Sequence, residues 1–268
     1  MTIRLLGTGG ADGIPSLFGE DPVSDWAREH GGHDVRTRAA AIVDEGLKID
    51  LPPETFDQLL DNGLKASDWD ILLFTHSDED HLTLSELQYA VHPFTDRLEM
   101  PFPIFGNETV IDQIAFRYQD WPMELIKIRS FETFESAGYK ITPLRARHTP
   151  GEECFNFLIE REGRRLIYAT DTGVWTDETF EYMAGTVVHL LVLECTNAFR
   201  PATYLGHLDF DGFRYMLERM RKGGTLTEES RVVTTHHAAT GGARHCDLQG
   251  ALAPLGAEPG YDGMIIEV

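Results

Sequence analysis

Basic residues are scarce in this sequence. Lysine and arginine number 23 against 44 aspartate and glutamate residues, which gives a formal net charge of −21 at pH 7. Binding to long nucleic acids depends on basic side chains that displace counterions from phosphates. This balance therefore disfavours long nucleic acids as partners, whereas small substrates stay open.

Cysteine and long apolar runs are also rare. The three cysteines, Cys154, Cys195 and Cys246, lie far apart, which argues against a disulfide framework and against a thiolate zinc site. No apolar run approaches the ~18 residues that span a bilayer, and the opening "MTIRLLGTGGADG" lacks the apolar core of a signal peptide. We expect a protein of the reducing cytoplasm without membrane association.

The apolar residues that are present follow short periodic patterns. With 268 residues and 42% hydrophobic content, we expect one domain over residues 1–268. Segments rich in Val, Ile, Phe and Tyr predict the strands "IRLLG", "AAAIV", "ILLFT", "PFPIF", "FNFLIE", "RLIYAT", "VVHLLVLE", "RVVTT" and "MIIEV". Helices are predicted over residues 53–62, 84–89, 108–118, 177–183 and 210–221. The mixture predicts an α/β fold in which helices cover layers of sheet.

Histidines and acids crowd together after one of these strands. The stretch "ILLFTHSDEDHL" places His76, Asp78, Asp80 and His81 directly after apolar residues. Such side chains are costly to bring together near a core unless a cation or a network of ion pairs compensates their burial. A metal site is the first interpretation of this stretch.

Two further predicted strands and one other segment also lead into residues that can bind metal. "ITPLRAR" leads into His148, "RLIYAT" into Asp171, and "RVVTT" into His236 and His237. A single histidine or aspartate after a strand is more often a turn residue or a helix cap than a ligand. Four such strand ends together indicate that they converge on one site.

The order of these residues resembles the signature of the metallo-β-lactamase-fold hydrolases. That signature is His-x-His-x-Asp-His after a strand, followed by a lone His, a bridging Asp and a last His. The resemblance implies a four-layer αββα sandwich. The stretches "LLGTGGADGIP", "RTRAAAIVDEGLKIDLPPETFDQLL" and "GHLDF" are similar to the branch that holds the PhnP-type phosphodiesterases and the tRNA 3′-processing endonucleases.

The resemblance also implies a role for each residue. Site one would comprise His76, Asp78 and His148, site two would comprise Asp80, His81 and His236, and Asp171 would bridge the two metal ions. Asp80 and His207 are the implied catalytic residues, with His207 over the leaving group. His236 is favoured over His237 because "VVTTH" matches the Thr-His step of the family, but His237 stays open as an alternative ligand.

The sequence departs from the family pattern at two places. Asp78 stands where the family has its second histidine, and an oxygen ligand shifts the preference from zinc toward manganese or iron. The stretch "SLFGEDPVSDWAREHGGHDV" lacks the cysteines that hold an accessory zinc in the phosphodiesterase branch. We therefore expect two divalent ions, manganese, zinc or iron, and no accessory zinc.

The expected function is that of a dinuclear metal-dependent hydrolase of small phosphodiesters, including cyclic ones. Two adjacent cations can activate a shared water and neutralise charge on a phosphoryl centre. The alternatives are a tRNA 3′-processing endonuclease, another ester or lactone hydrolase, a diiron oxidoreductase, and a non-catalytic protein whose metal site has decayed at Asp78. The expected partner is a small-molecule phosphodiester, and a homodimer stays open.

Overall fold

Fourteen strands form two seven-stranded sheets. The computed structural model describes residues 1–268. The strands are Thr2–Gly7 (β1), Ala40–Val43 (β2), Leu47–Ile49 (β3), Ile71–Leu73 (β4), Ile104–Gly106 (β5), Leu125–Lys127 (β6), Phe134–Ser136 (β7), Tyr139–Arg145 (β8), Phe155–Arg161 (β9), Arg164–Ala169 (β10), Leu190–Glu194 (β11), Arg231–Thr235 (β12), Ala257–Pro259 (β13) and Ile265–Glu267 (β14). The first sheet has the order β14-β1-β2-β3-β4-β5-β6 and the second the order β13-β12-β11-β10-β9-β8-β7. All nine predicted strands are present.

Seven α-helices accompany the sheets. They are Pro22–His30 (α1), Thr55–Asp61 (α2), Leu84–Leu87 (α3), Glu108–Arg117 (α4), Asp177–Met183 (α5), Phe210–Lys222 (α6) and His245–Leu252 (α7). The five predicted helices are confirmed, with ends shifted by up to two residues, whereas α1 and α7 were not predicted. No helix is both long and apolar enough to cross a bilayer.

Alternating side chains along the strands divide the core into layers. In β11, Leu190 and Val192 face the other sheet, while Leu191 and Leu193 face α5 and α6. In the first sheet, Leu72 of β4 packs on the side of α2, α3 and α4. The order of layers is therefore helix, sheet, sheet, helix, and the predicted αββα sandwich is confirmed.

The topology brings several strand ends to one edge. β10, β11 and β12 pair in parallel, and β8 runs in the same direction because both β8 and β10 are antiparallel to β9. In the first sheet, β3, β4 and β5 are likewise parallel. Polar residues that follow these strands can therefore meet where the two sheets face each other.

Candidate metal centre

The residues that were predicted as ligands lie where strands of both sheets end. His76 follows β4 with Asp78, Asp80 and His81 in the next turn, His148 follows β8, Asp171 follows β10, and His236 follows β12. Asp171 and His236 have backbone φ angles of +47° and +55°, a left-handed conformation that is uncommon for residues other than glycine. Such strained conformations cluster at functional sites.

One group of side chains surrounds the position expected for site one. His76, His148 and Asp171 each offer a ligand atom, and these atoms lie within 4.8 Å of one another. Asp78 completes the group, since its Oδ2 lies 3.5 Å from His76 Nε2 and 3.2 Å from His148 Nε2. The side chain of Asp78 is 42% exposed, so this group opens toward solvent on the side of Asp78.

A second group surrounds the position expected for site two. Asp80, His81, Asp171 and His236 offer ligand atoms that also lie within 4.8 Å of one another. His81 Nε2 lies 3.2 Å from Asp80 Oδ2 and 3.1 Å from Asp171 Oδ2. His236 Nε2 lies 3.2 Å from Asp171 Oδ1, so Asp171 belongs to both groups. Their assignment as ligands stays a prediction that metal analysis tests.

Hydrogen bonds at Nδ1 fix the orientation of two of these histidines directly. His81 Nδ1 lies 2.8 Å from Asp50 Oδ2, and His148 Nδ1 lies 3.1 Å from the carbonyl oxygen of Gly206. Carboxylate and carbonyl oxygens can only accept, so Nδ1 carries the proton in both rings. The Nε2 lone pair of each ring is thereby free for a metal ion.

Threonine hydroxyls fix the other two histidines. Thr75 Oγ1 donates to Asp50 and lies 2.9 Å from His76 Nδ1. Thr196 Oγ1 donates to Glu194 and lies 2.9 Å from His236 Nδ1. Each hydroxyl gives its one proton to a carboxylate, so it accepts from the histidine. All four rings therefore present Nε2 to the centre.

Two buried carboxylates organise this arrangement: Asp50, which the sequence interpretation missed, and Glu194, which it placed near the site without a role. Asp50 follows β3 in the first sheet, and Glu194 ends β11 in the second; both are fully buried. Asp50 orients His81 directly and His76 through Thr75. The available signal was the acidic residue at the end of each apolar strand, in "LKID" and "LLVLE".

The residues fit a bound metal ion. Nε2 of His76, His81 and His236 is buried, and although carboxylate oxygens lie 3.1 to 4.0 Å away, none of them is aligned to form a hydrogen bond with it. Buried polar atoms are nearly always paired, so unpaired atoms that converge on one point require another partner. A cation supplies that partner and also compensates the neighbouring carboxylates.

The charges of the metal-free centre are strongly coupled. Burial raises the pKa of Asp171, but the positive charges of His236 and His81 outweigh it and hold the pKa well below its usual range. Burial lowers the pKa of His81, but the carboxylates of Asp171, Asp80 and Asp50 outweigh it and raise the pKa well above its usual range. Metal binding must therefore displace protons from this centre.

His207 lies beside the metal groups but is held differently. Its Nδ1 lies 3.1 Å from Oε1 of Glu194, and its ring stacks on that of His236 with centroids 5.3 Å apart. Burial lowers the pKa of His207, but the charge of Glu194 outweighs it and raises the pKa to about 9. His207 also lines a cavity of about 530 Å³ that contains Asp78, Asp80 and His148.

His237 belongs to neither group. Its Nε2 lies 3.0 Å from the hydroxyl of Thr234, and the ring is buried. Burial lowers the pKa of His237 well below its usual range, and the charge of Arg36 adds to the effect. The structure thus brings His236 into the cluster and directs His237 into the protein interior.

Comparison with known proteins places this centre in a family. The family model described as the beta-lactamase superfamily domain matches residues 52–237, which contain all seven candidate ligands. The chain belongs to the beta-lactamase superfamily. The fold of this superfamily member is the metallo-β-lactamase fold, as the resemblance implied. No curated protein matches the sequence.

Solved structures share this fold over the whole chain. A diphosphatase from the PhnP family has a TM-score of 0.79 at 22% identity, with coverage of 100% of this chain and 97% of that chain. Zn²⁺-bound PqqB from Methylobacterium extorquens has a TM-score of 0.77 at 16% identity and full coverage of both chains. The short form of human tRNase Z has a TM-score of 0.67 at 16% identity, with coverage of 100% and 99%.

The family and the centre together support a metal-dependent hydrolase. The fold family consists mainly of such enzymes and binds divalent metals. This superfamily member retains a His/Asp cluster in which the Nε2 atoms are directed inward.

Proposed function

We propose that this protein is a dinuclear metal-dependent phosphodiesterase of small substrates. The observation that carries the proposal is the pair of ligand groups that share Asp171, with His207 beside them. When bound, two divalent ions activate water and neutralise charge on the phosphoryl group. Site one would be held by His76, Asp78 and His148, and site two by Asp80, His81 and His236.

His207 is the proposed proton donor to the leaving group. Its Nδ1 is engaged by Glu194, so Nε2 is the ring nitrogen that can hold a transferable proton at the cavity. An alkoxide of high pKa needs that proton as its bond to phosphorus breaks. This arrangement favours a phosphodiester with an alkoxide leaving group.

The charge of the protein supports a small substrate. No lysine or arginine lines the cavity of about 530 Å³, and the chain carries a net charge of −21. A long RNA needs a basic surface along its backbone. The similarity to a PhnP-family diphosphatase and to tRNase Z supports chemistry at a phosphoryl centre, and the charge favours small esters within that class.

The deciding experiment compares two substrates at one enzyme concentration. Protein loaded with manganese, iron or zinc is assayed with bis(p-nitrophenyl) phosphate and with a tRNA precursor. We expect hydrolysis of the small diester, none of the tRNA precursor, and loss of activity in Asp171→Asn and after chelation. Efficient cleavage of the tRNA precursor would contradict the proposed preference for small substrates. If both metal sites are filled and no diester is hydrolysed, the proposed phosphodiesterase activity is wrong.

A further inference from the structure

Tyr204 is the only tyrosine, phenylalanine or tryptophan that lines the cavity. The residue is 42% exposed. The centroid of its ring lies 5.7 Å from that of His207 and 5.8 Å from that of His148. Tyr204 therefore stands at the mouth of the cavity, next to the proposed proton donor, with almost half of its surface available for contact.

The loop that carries Tyr204 is fixed to the metal centre. The Tyr204 hydroxyl donates to the carbonyl oxygen of His148 over 2.7 Å, and His148 Nδ1 donates to the carbonyl oxygen of Gly206 over 3.1 Å. These two hydrogen bonds connect both sides of the loop tip to one candidate ligand. The position of the ring is thus coupled to the geometry of site one.

Two glycines allow the loop to lie this close. A Cβ atom on Gly173 would lie 1.8 Å from the carbonyl oxygen of Leu205, and one on Gly206 would lie 2.4 Å from the ring of Tyr204. Any larger residue would displace the loop. The ring is therefore preorganised, and a ligand that contacts it avoids much of the entropic cost of ordering a side chain.

The rest of the wall offers little to bind the organic part of a substrate. The cavity is lined by acids, histidines, threonines, an asparagine and small residues, without lysine or arginine. A fixed aromatic ring binds planar groups by stacking, and such contacts tolerate different bases because every base has a π-face. Tyr204 is thus the residue best suited to select the organic group.

We propose that Tyr204 is a specificity-determining residue that stacks on a planar group, of the nucleobase kind, on the leaving-group side of the substrate. The assignment to the leaving-group side rests on the proposed function, because it follows from the neighbouring ring of His207. If the stacking contact is equally strong in the bound substrate and in the transition state, it lowers KM and leaves kcat unaltered.

The test compares a dinucleoside monophosphate with its abasic counterpart, which has the same sugar alkoxide as leaving group but no bases. The wild-type protein, filled with metal, should prefer the base-bearing diester by about tenfold in kcat/KM, carried by KM. Tyr204→Leu should remove this preference. Tyr204→Phe keeps the ring but loses the hydrogen bond to His148, and it should retain the preference. Tyr215→Leu, a matched change at a residue of α6 that is 44% exposed, should retain it as well.

A binding measurement separates this inference from the proposed function. Calorimetry with adenosine 5′-monophosphate and ribose 5-phosphate on the same metal-filled variants needs no turnover. If no diester is hydrolysed, an AMP preference that Tyr204→Leu removes still supports the stacking role. The proposal is overturned if the wild type prefers the base-bearing compound neither in the kinetic comparison nor in the binding measurement. It is also overturned if Tyr204→Phe loses the preference as completely as Tyr204→Leu, because the hydroxyl anchor would then be responsible.

Discussion

Asp50 Oδ2 accepts a hydrogen bond from His81 Nδ1 over 2.8 Å, although 31 residues separate the two in sequence. The same carboxylate also accepts from the backbone nitrogen and the hydroxyl of Thr75, which in turn holds His76. One fully buried side chain thus orients a histidine of each proposed metal site.

Replacement of Asp50 should weaken the binding of both ions. In Asp50→Asn the amide cannot accept from His81 and Thr75 as the carboxylate does, so we expect a 10- to 100-fold loss of metal affinity, the usual effect of such outer-shell partners. Competition with a chromophoric chelator measures this, with the exposed Asp57→Asn as control. Equal affinities for the two variants would remove Asp50 from the metal centre.

Asp78 should determine which metal fills site one. Its oxygen lies 3.2 Å from His148 Nε2, so the site offers mixed oxygen and nitrogen ligands. We expect the wild type to take manganese or iron at site one more readily than Asp78→His, which restores an all-nitrogen set. Elemental analysis of wild type and Asp78→His, both produced in the same mixed-metal medium, measures which metals each protein binds. Glu79→His, in the same turn, is the control. Equal zinc occupancy in wild type and Asp78→His would show that ligand hardness does not govern the choice.

His207 should matter most for poor leaving groups. A nitrophenolate departs well unaided, whereas a sugar alkoxide needs a proton. We expect His207→Ala to keep both metals, to lose on the order of a hundredfold in turnover of a nucleoside diester, and to lose much less on a bis-nitrophenyl ester. Steady-state kinetics with both esters test this, with the exposed His92→Ala as control. An equal loss on both esters would argue against proton donation, and a loss of metal would make His207 a ligand.

Lys48 should destabilise the protein in a pH-dependent way. Its side chain is fully buried, and this burial lowers its pKa to about 7 from the ordinary 10.5, although the charge of Asp50 opposes the shift. Between these two values the unfolded chain binds more protons than the folded one, so this group makes stability rise with pH. Below pH 7 the destabilisation of the folded protein by Lys48 is fully present.

Lys48→Met should therefore be more stable than the wild type at low pH. We expect a gain on the order of 2 kcal/mol at about pH 6 that shrinks toward pH 10, since the lysine is then neutral in the fold. Urea denaturation of metal-filled protein at both pH values measures it, with the exposed Lys65→Met as control. A gain that is constant with pH would trace the effect to packing instead of charge.

Local sequence determined much of the fold because its strands are strongly apolar and its helix α6 is amphipathic. Several elements were not predicted. β8 is one of them, and it contains Pro143, a residue that is uncommon inside strands, which pairs with Phe157. No helix is predicted from the sequence in the stretch 16–35, although Asp21 caps α1 and Pro22 begins it, a recognisable helix start.

The candidate ligands could be predicted because metal chemistry restricts residue types and because their order in the chain resembles a known family. The residues that orient them could not. Glu194 and His207 lie 13 residues apart, and Tyr204 reaches the carbonyl oxygen of His148 across 56 residues. Sequence fixes which side chains can ligate a cation. Only the packing of two sheets, which brings distant strand ends to one edge, decides which buried carboxylates hold the histidines and which ring faces the cavity.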